Sequence, residues 1–255
     1  MAPLPMPMLV LLHSPLVGPL TWQPAATSLR AAGYQVAVPS LTGVLDTGPP
    51  SYRTLAGRVA ETIRQANPTG AVVLIGHSGA GALLPAAAEA TGTPVAAAVF
   101  VDAILPHPGV SWLQTAPPAL REQLRGLARD GRLPAWHQWF PPEVVTELLP
   151  EESLRRRFIA ELPRLPLAYF EERAPMVSGW PPQRCGYLRL SGAYDEVADE
   201  AERHGWLVVR EPADHLAMLT RPATIAGLLD RLIKALVDAG PEASAPGRQP
   251  DRPDR

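Results

Sequence analysis

Ala71-Val-Val-Leu-Ile-Gly-His-Ser-Gly-Ala-Gly81 is the stretch that decides the fold. Its first half is apolar and rich in β-branched residues, the pattern of a strand buried on both faces of a sheet. Its second half places small residues around Ser78 and then passes into an alanine-rich helical run. A sharp strand-to-helix turn needs small neighbours, because the chain bends tightly and its flanks approach closely. Such a turn presents the Ser78 hydroxyl at the carboxyl edge of the sheet, beside helical N–H groups and the positive end of a helix dipole. The glycine spacing matches neither G-x-G-x-x-G nor G-x-x-x-x-G-K-[ST], which argues against a nucleotide-phosphate turn.

Outward from this turn, short apolar runs alternate with helical patterns, as in parallel sheets built from helical crossovers. Strands are predicted over Met8 to His13, Gln35 to Pro39, Ala71 to Gly76, Val95 to Asp102, Tyr187 to Ser191 and Trp206 to Arg210. Helices are predicted over 24–32, 52–67, 80–91 and from Pro222 to about Asp238, where Ile225, Leu228, Leu229, Leu232 and Ile233 recur on one face. The alternation stops between 106 and 184, where 13 of the 31 prolines and four of the six tryptophans fall among short helical stretches. The organisation expected is an α/β core from 1–105 and 185–240, a mostly parallel twisted sheet with helices on both faces. A helical cap is inserted at 106–184, and a disordered tail follows at 241–255.

With 23 basic against 25 acidic side chains and no basic run, nothing in the charge favours nucleic acid as a partner. Cys185 is the single cysteine, so neither an internal disulfide nor a multi-thiolate metal site is expected. The opening residues lack a basic leader, and no apolar run approaches a membrane span, so a cytoplasmic protein without a membrane partner is expected. Oligomeric state is not legible.

The turn resembles the nucleophile elbow G-x-S-x-G of the α/β-hydrolase fold family, with Gly76, His77 and Ser78 matching and Ala80 in place of the last glycine. The resemblance runs from about Met8 to Asp238 and implies the α/β-hydrolase fold, a serine nucleophile and no cofactor. A serine hydroxyl needs an adjacent base. His215, in Glu211-Pro-Ala-Asp-His-Leu-Ala217 after the last strand, stands where the family places it. For the acid, Leu188-Arg-Leu-Ser-Gly-Ala-Tyr-Asp195 resembles the family's strand followed by G-x-x-D, which selects Asp195. Its interval of 20 residues to His215 is short, and Asp102, ending the preceding strand, is the alternative. Asp214 is a weaker third choice.

The resemblance also assigns an oxyanion turn to Leu11-Leu-His-Ser-Pro-Leu-Val-Gly18, with Gly79 giving one donor. Pro15 falls where the second is expected and has no N–H. Leu16 donates instead, or the Ser14 hydroxyl substitutes, or the hole is incomplete. His13, Trp112, Trp136 and Trp139 are expected around the substrate, which is taken to be a small, mostly apolar molecule. FVDAILPHPG and HLAMLT are similar to the hydroxynitrile lyase and methylesterase group, but Leu216 replaces the lysine that follows the base in the lyases. Three readings follow. The first is a serine hydrolase of an ester, thioester or lactone; the others are a lyase or cyclase on the same fold and an inactive binding protein.

Overall fold

The computed structural model describes residues 6–49 and 51–238. Six strands, β1 (Met8–Leu12), β2 (Val36–Ala37), β3 (Val72–His77), β4 (Val95–Val101), β5 (Cys185–Arg189) and β6 (Leu207–Arg210), form one parallel sheet in the order β2-β1-β3-β4-β5-β6. The helices are α1 (Gln23–Ala31), α2 (Ser51–Ala66), α3 (Leu84–Thr91), α4 (Trp112–Thr115), α5 (Pro118–Leu127), α6 (Pro142–Leu148), α7 (Glu152–Ala160), α8 (Leu167–Glu171), α9 (Asp195–Arg203), α10 (Ala217–Thr220) and α11 (Pro222–Asp238).

The unbroken apolar strands follow from burial on both faces, since neighbouring side chains of a strand point to opposite sides. Val10, Leu12, Val72, Leu74 and Phe100 enter one core with Leu55, Val59 and Ile63 of α2 and Ala86 of α3. Leu9, Leu11, Val73, Ile75 and Val99 enter the other with Leu29 of α1 and Ile225, Leu229 and Ile233 of α11. A fully buried aliphatic side chain is worth about 1.5–3 kcal/mol, so each strand contributes to two cores at once.

β2 is shorter than its apolar run suggests. It lies at the sheet edge, and Pro39 follows without a donor for the ladder. The helix expected over 80–91 begins as a tighter 3-10 turn over Ser78–Leu83 and becomes α-helical at α3.

The chain leaves β1 toward one edge and builds from β3 toward the other, so strand order reverses between β1 and β3. In open α/β sheets, ligands bind beyond the strand carboxyl ends at such a reversal. Register pairs Leu12 with Gly76 and His77 with Val101, which sets Ser14 beside the Ser78 turn and Ser78 level with Asp102.

Segment 106–184 contributes α4–α8 and, among the described residues, no strand of the sheet. Two carboxylates tie it to the core. Glu161 accepts the Leu20 N–H at 2.8 Å, an approach that Gly18 permits because a Cβ there would collide with Glu161. Glu172 accepts the N–H groups of Ser51 and Tyr52, at 2.7 and 3.3 Å, and so caps α2. The tail expected to be disordered, 241–255, lies outside the described residues, none of whose helices is long and apolar enough to cross a membrane.

Candidate active site

Ser78 follows β3 with φ of 55°, a left-handed backbone that costs a non-glycine residue of order 1–3 kcal/mol and survives only when its surroundings hold it. Here the Ile104 N–H donates to the Ser78 carbonyl at 3.2 Å. Gly81 lets the helical turn press against the same segment, since a Cβ on it would run into the Ile104 carbonyl oxygen. The close approach thus falls on Gly81, while Ala80 packs fully buried.

Asp102 leaves β4 in a similar left-handed conformation, φ 43°, with its side chain wholly buried. Its Oδ1 accepts the N–H groups of Leu190 and Ser191, at 2.7 and 3.0 Å, and its Oδ2 accepts the Ser191 hydroxyl at 2.6 Å. Nδ1 of His215 is 2.9 Å from the same Oδ2. Burial alone would raise the Asp102 pKa, but His215 and the Ser191 and Leu190 donors outweigh it and hold the carboxyl below its ordinary value. Next door, the Tyr187 hydroxyl donates to the Ala103 carbonyl at 2.8 Å and accepts the Ala103 N–H at 3.0 Å, fixing the turn that carries Asp102.

Because Asp102 accepts from Nδ1–H, Nε2 of His215 carries the lone pair, the tautomer a general base requires. The loop is held from below by His77, whose Nε2–H donates to the His215 carbonyl at 2.9 Å and whose ring centroid lies 4.5 Å from that of His215. Burial, reinforced by His215, lowers the His77 pKa far below the usual histidine range.

The sequence preferred Asp195 as the partner of His215, and the geometry corrects this. Asp195 opens α9 and ion-pairs with Arg189 at 2.8 Å, more than half exposed. Asp214 closes its own turn by accepting the Leu216 N–H at 2.9 Å. His13 is also displaced from its expected place around the substrate. It is fully buried, with Nδ1–H donating to the Ser14 carbonyl at 2.8 Å and Nε2 accepting the Leu41 N–H at 3.0 Å. It shapes the turn after β1, and burial lowers its pKa to about 4.

In that turn the Leu16 N–H points to the Ser14 Oγ at 3.3 Å, so it is directed at a side chain. The Ser14 hydroxyl in turn lies against the backbone of Gly79, where an added Cβ would stand 2.9 Å from it.

Ser78, Gly79, His215, Ser14, Pro15 and Leu16 open on one cavity of about 300 Å³. Trp112, Trp136 and Trp139 line it as expected, with Phe140, Tyr169 and Phe170 beside them. The aromatic wall is braced edge to face, with Trp112 and Phe170 centroids 5.4 Å apart and Trp136 and Phe140 5.6 Å apart. None of the lining residues is Lys, Arg, Asp or Glu. Among the described residues, no group of three or more His, Cys, Asp and Glu side chains is placed to hold a metal ion. Buried Cys185, its thiol pushed up to about 12 by burial, is chemically quiet.

One residue of the site escaped the sequence. Tyr194 lines the cavity beside Ser78, and its ring lies parallel to His215 at 5.2 Å and 4°. A tyrosine one residue before a helix carries no distinctive pattern. The available signal was its place in the Gly192-Ala-Tyr-Asp195 turn already singled out for an acid.

The family described as "Alpha/beta hydrolase family" matches residues 9–228. A carbendazim hydrolyzing esterase of Nocardioides sp. (strain SG-4G) is 25% identical over 245 residues, covering 88% of this chain and 98% of that protein. Among solved structures, an extracellular alpha/beta-hydrolase from a Paenibacillus species superposes with a TM-score of 0.71 at 19% identity, covering 89% of this chain and 99% of its own. A pyrethroid hydrolase from Sphingobium faniae JZ-2 gives 0.68 at 19% identity, with 91% and 99% covered. At these identities the two structures speak for the fold alone.

Proposed function

The chain belongs to the alpha/beta hydrolase family and is an enzyme of the carboxylic ester hydrolase kind, and from that premise we propose a cofactor-free serine hydrolase built on Ser78, His215 and Asp102. The observation that carries this reading is the His215 Nδ1 contact with buried Asp102, opening on the same cavity as the strained Ser78. Ser78 Oγ attacks the ester carbonyl while His215 Nε2 takes its proton. The Gly79 N–H and the Ser14 O–H receive the developing oxyanion. The tetrahedral intermediate collapses, His215 returns the proton to the leaving oxygen, and water then releases the acyl group by the same steps.

The substrate is a small neutral ester, thioester or lactone with an aromatic or otherwise apolar body, because the cavity offers indole and phenyl surface and no charged side chain. Segment 106–184 acts as the cap over it, and the protein is placed in the cytoplasm. A fluorophosphonate is expected to label Ser78, and Ser78→Ala is expected to abolish labelling and turnover of p-nitrophenyl esters. Asp102→Asn should then lower kcat by about 10⁴, as loss of the orienting acid does elsewhere, while Asp195→Asn leaves it nearly unchanged. Turnover surviving Ser78→Ala, or a larger loss in the Asp195 variant, rules out this assignment.

One observation favours a second reading, a non-hydrolytic catalyst such as a lyase or cyclase. Pro15 supplies no N–H and that of Leu16 points to Ser14, so the Ser14 hydroxyl is left as the donor on that side. Ser14→Ala separates the two. The hydrolase reading expects a loss of roughly 10²-fold or more in kcat on esters, and the second expects ester turnover to be negligible in wild type.

A further inference from the structure

The turn that supplies an acid in the usual family pattern has here been put to another use. Asp195 faces outward to Arg189, and Tyr194, one residue earlier, faces inward. Its ring is stacked on His215 almost without tilt, and its side chain borders the cavity on which Ser78 opens. His215 is therefore flanked by two rings, His77 at 4.5 Å and Tyr194 at 5.2 Å, while Asp102 fixes its Nδ1. Packing alone would be served by phenylalanine. A phenol stacked on His215, in a cavity that holds Ser78 and no charged side chain, asks for a chemical account.

We propose that Tyr194 is a catalytic residue of the hydrolase described above: its ring fixes the plane of His215, and its hydroxyl donates a hydrogen bond to the leaving oxygen of the ester. The inference rests on that reading. In the resting site the Tyr194 side chain shares the cavity with Ser78 and His215. Once Ser78 Oγ bonds to the acyl carbon, it surrenders its proton to His215. The leaving oxygen, on the His215 side of the new tetrahedral carbon, is then the acceptor that gathers negative charge. His215 delivers to it the proton taken from Ser78, the carbon–oxygen bond breaks and the alcohol departs. Tyr194 keeps its own proton throughout. Burial supports the role, pushing the phenol up to about 12, so that it stays a donor at neutral pH.

A donor of this kind matters in proportion to the basicity of the leaving group. The test compares an ethyl ester and a p-nitrophenyl ester of the same acid with wild type, Tyr194→Phe, Tyr194→Leu and Ser78→Ala. Tyr194→Phe keeps the stack and is expected to lower kcat/KM on the ethyl ester about tenfold or more, and on the p-nitrophenyl ester less than about threefold, mainly through kcat. Tyr194→Leu also removes the stack and should depress both further. The ratio between the two esters is the readout, and it is unaffected by any loss of folded protein. Equal factors on both esters, or no change in either, overturn the proposal while leaving the serine mechanism standing. Turnover of both esters surviving in Ser78→Ala overturns the serine reading itself, whatever Tyr194 does.

Discussion

Replacing His13 with glutamine is expected to flatten the dependence of stability on pH between about pH 7 and pH 5. The buried ring must stay neutral, because its Nε2 accepts the Leu41 N–H and its Nδ1–H is committed to the Ser14 carbonyl. Its folded pKa is lowered from 6.5 to about 4, first by burial, which two weaker backbone hydrogen bonds only partly offset. The unfolded chain therefore binds a proton in a range where the folded protein does not. Stability from this residue is intact above the unfolded value and is lost as pH falls from there to the folded one. With about 1.4 kcal/mol per unit of pKa difference, the whole effect is about 3 kcal/mol, of which about 2 kcal/mol disappears between pH 7 and pH 5. In a chain of this size that corresponds to a fall of roughly 4–8 °C in Tm. Glutamine has no proton to gain, so urea unfolding at the two pH values should show wild type losing about 2 kcal/mol more than the variant. His77 shifts in the same direction and contributes its own loss to both proteins, which is why the difference between them is the quantity to measure. Equal losses in the two proteins would refute the reasoning.

Three other perturbations follow from single contacts. Gly79→Ala places a Cβ 2.9 Å from the Ser14 Oγ, so kcat on esters should fall at least about tenfold with little change in Tm. Tyr187→Phe leaves the Ala103 N–H and carbonyl without their partner and should cost about 1–3 kcal/mol in urea unfolding, with a drop in kcat because Asp102 is the next residue. Glu172→Ala removes the acceptor for the first N–H groups of α2, and about 1 kcal/mol of stability should go with it, visible as faster proteolysis near residue 51.

The strands were legible because burial on both faces leaves a run of apolar residues that no surface element shows, and each predicted strand has its counterpart in the sheet. The proposed nucleophile and base, Ser78 and His215, could be picked out for a related reason: a strained turn and a loop after the last strand carry local chemistry. The acid could not. Asp102 and Asp195 both follow a strand, and what separates them is their company. Leu190 and Ser191 bring donors to Asp102 from 88 and 89 residues away, while Arg189 draws Asp195 outward. His13 misled in the same way. Its place after β1 suggested a cavity residue, whereas the Leu41 N–H, 28 residues on, turns it into a prop for the neighbouring turn.

Ser78 and Asp102 stand at the ends of adjacent strands, β3 and β4, and so belong to one contiguous stretch of chain. Joining the first 105 residues to the remainder of a distant relative would carry this serine and carboxylate across together, already level with each other. Only the histidine loop and the Leu190-Ser191 donors would have to be supplied by the other parent. A relative whose acid follows the fifth strand would bring a second carboxylate into competition for the same imidazole. Chimeras made at this junction should thus succeed or fail on the residues that meet Asp102, and library design can be confined to that short segment.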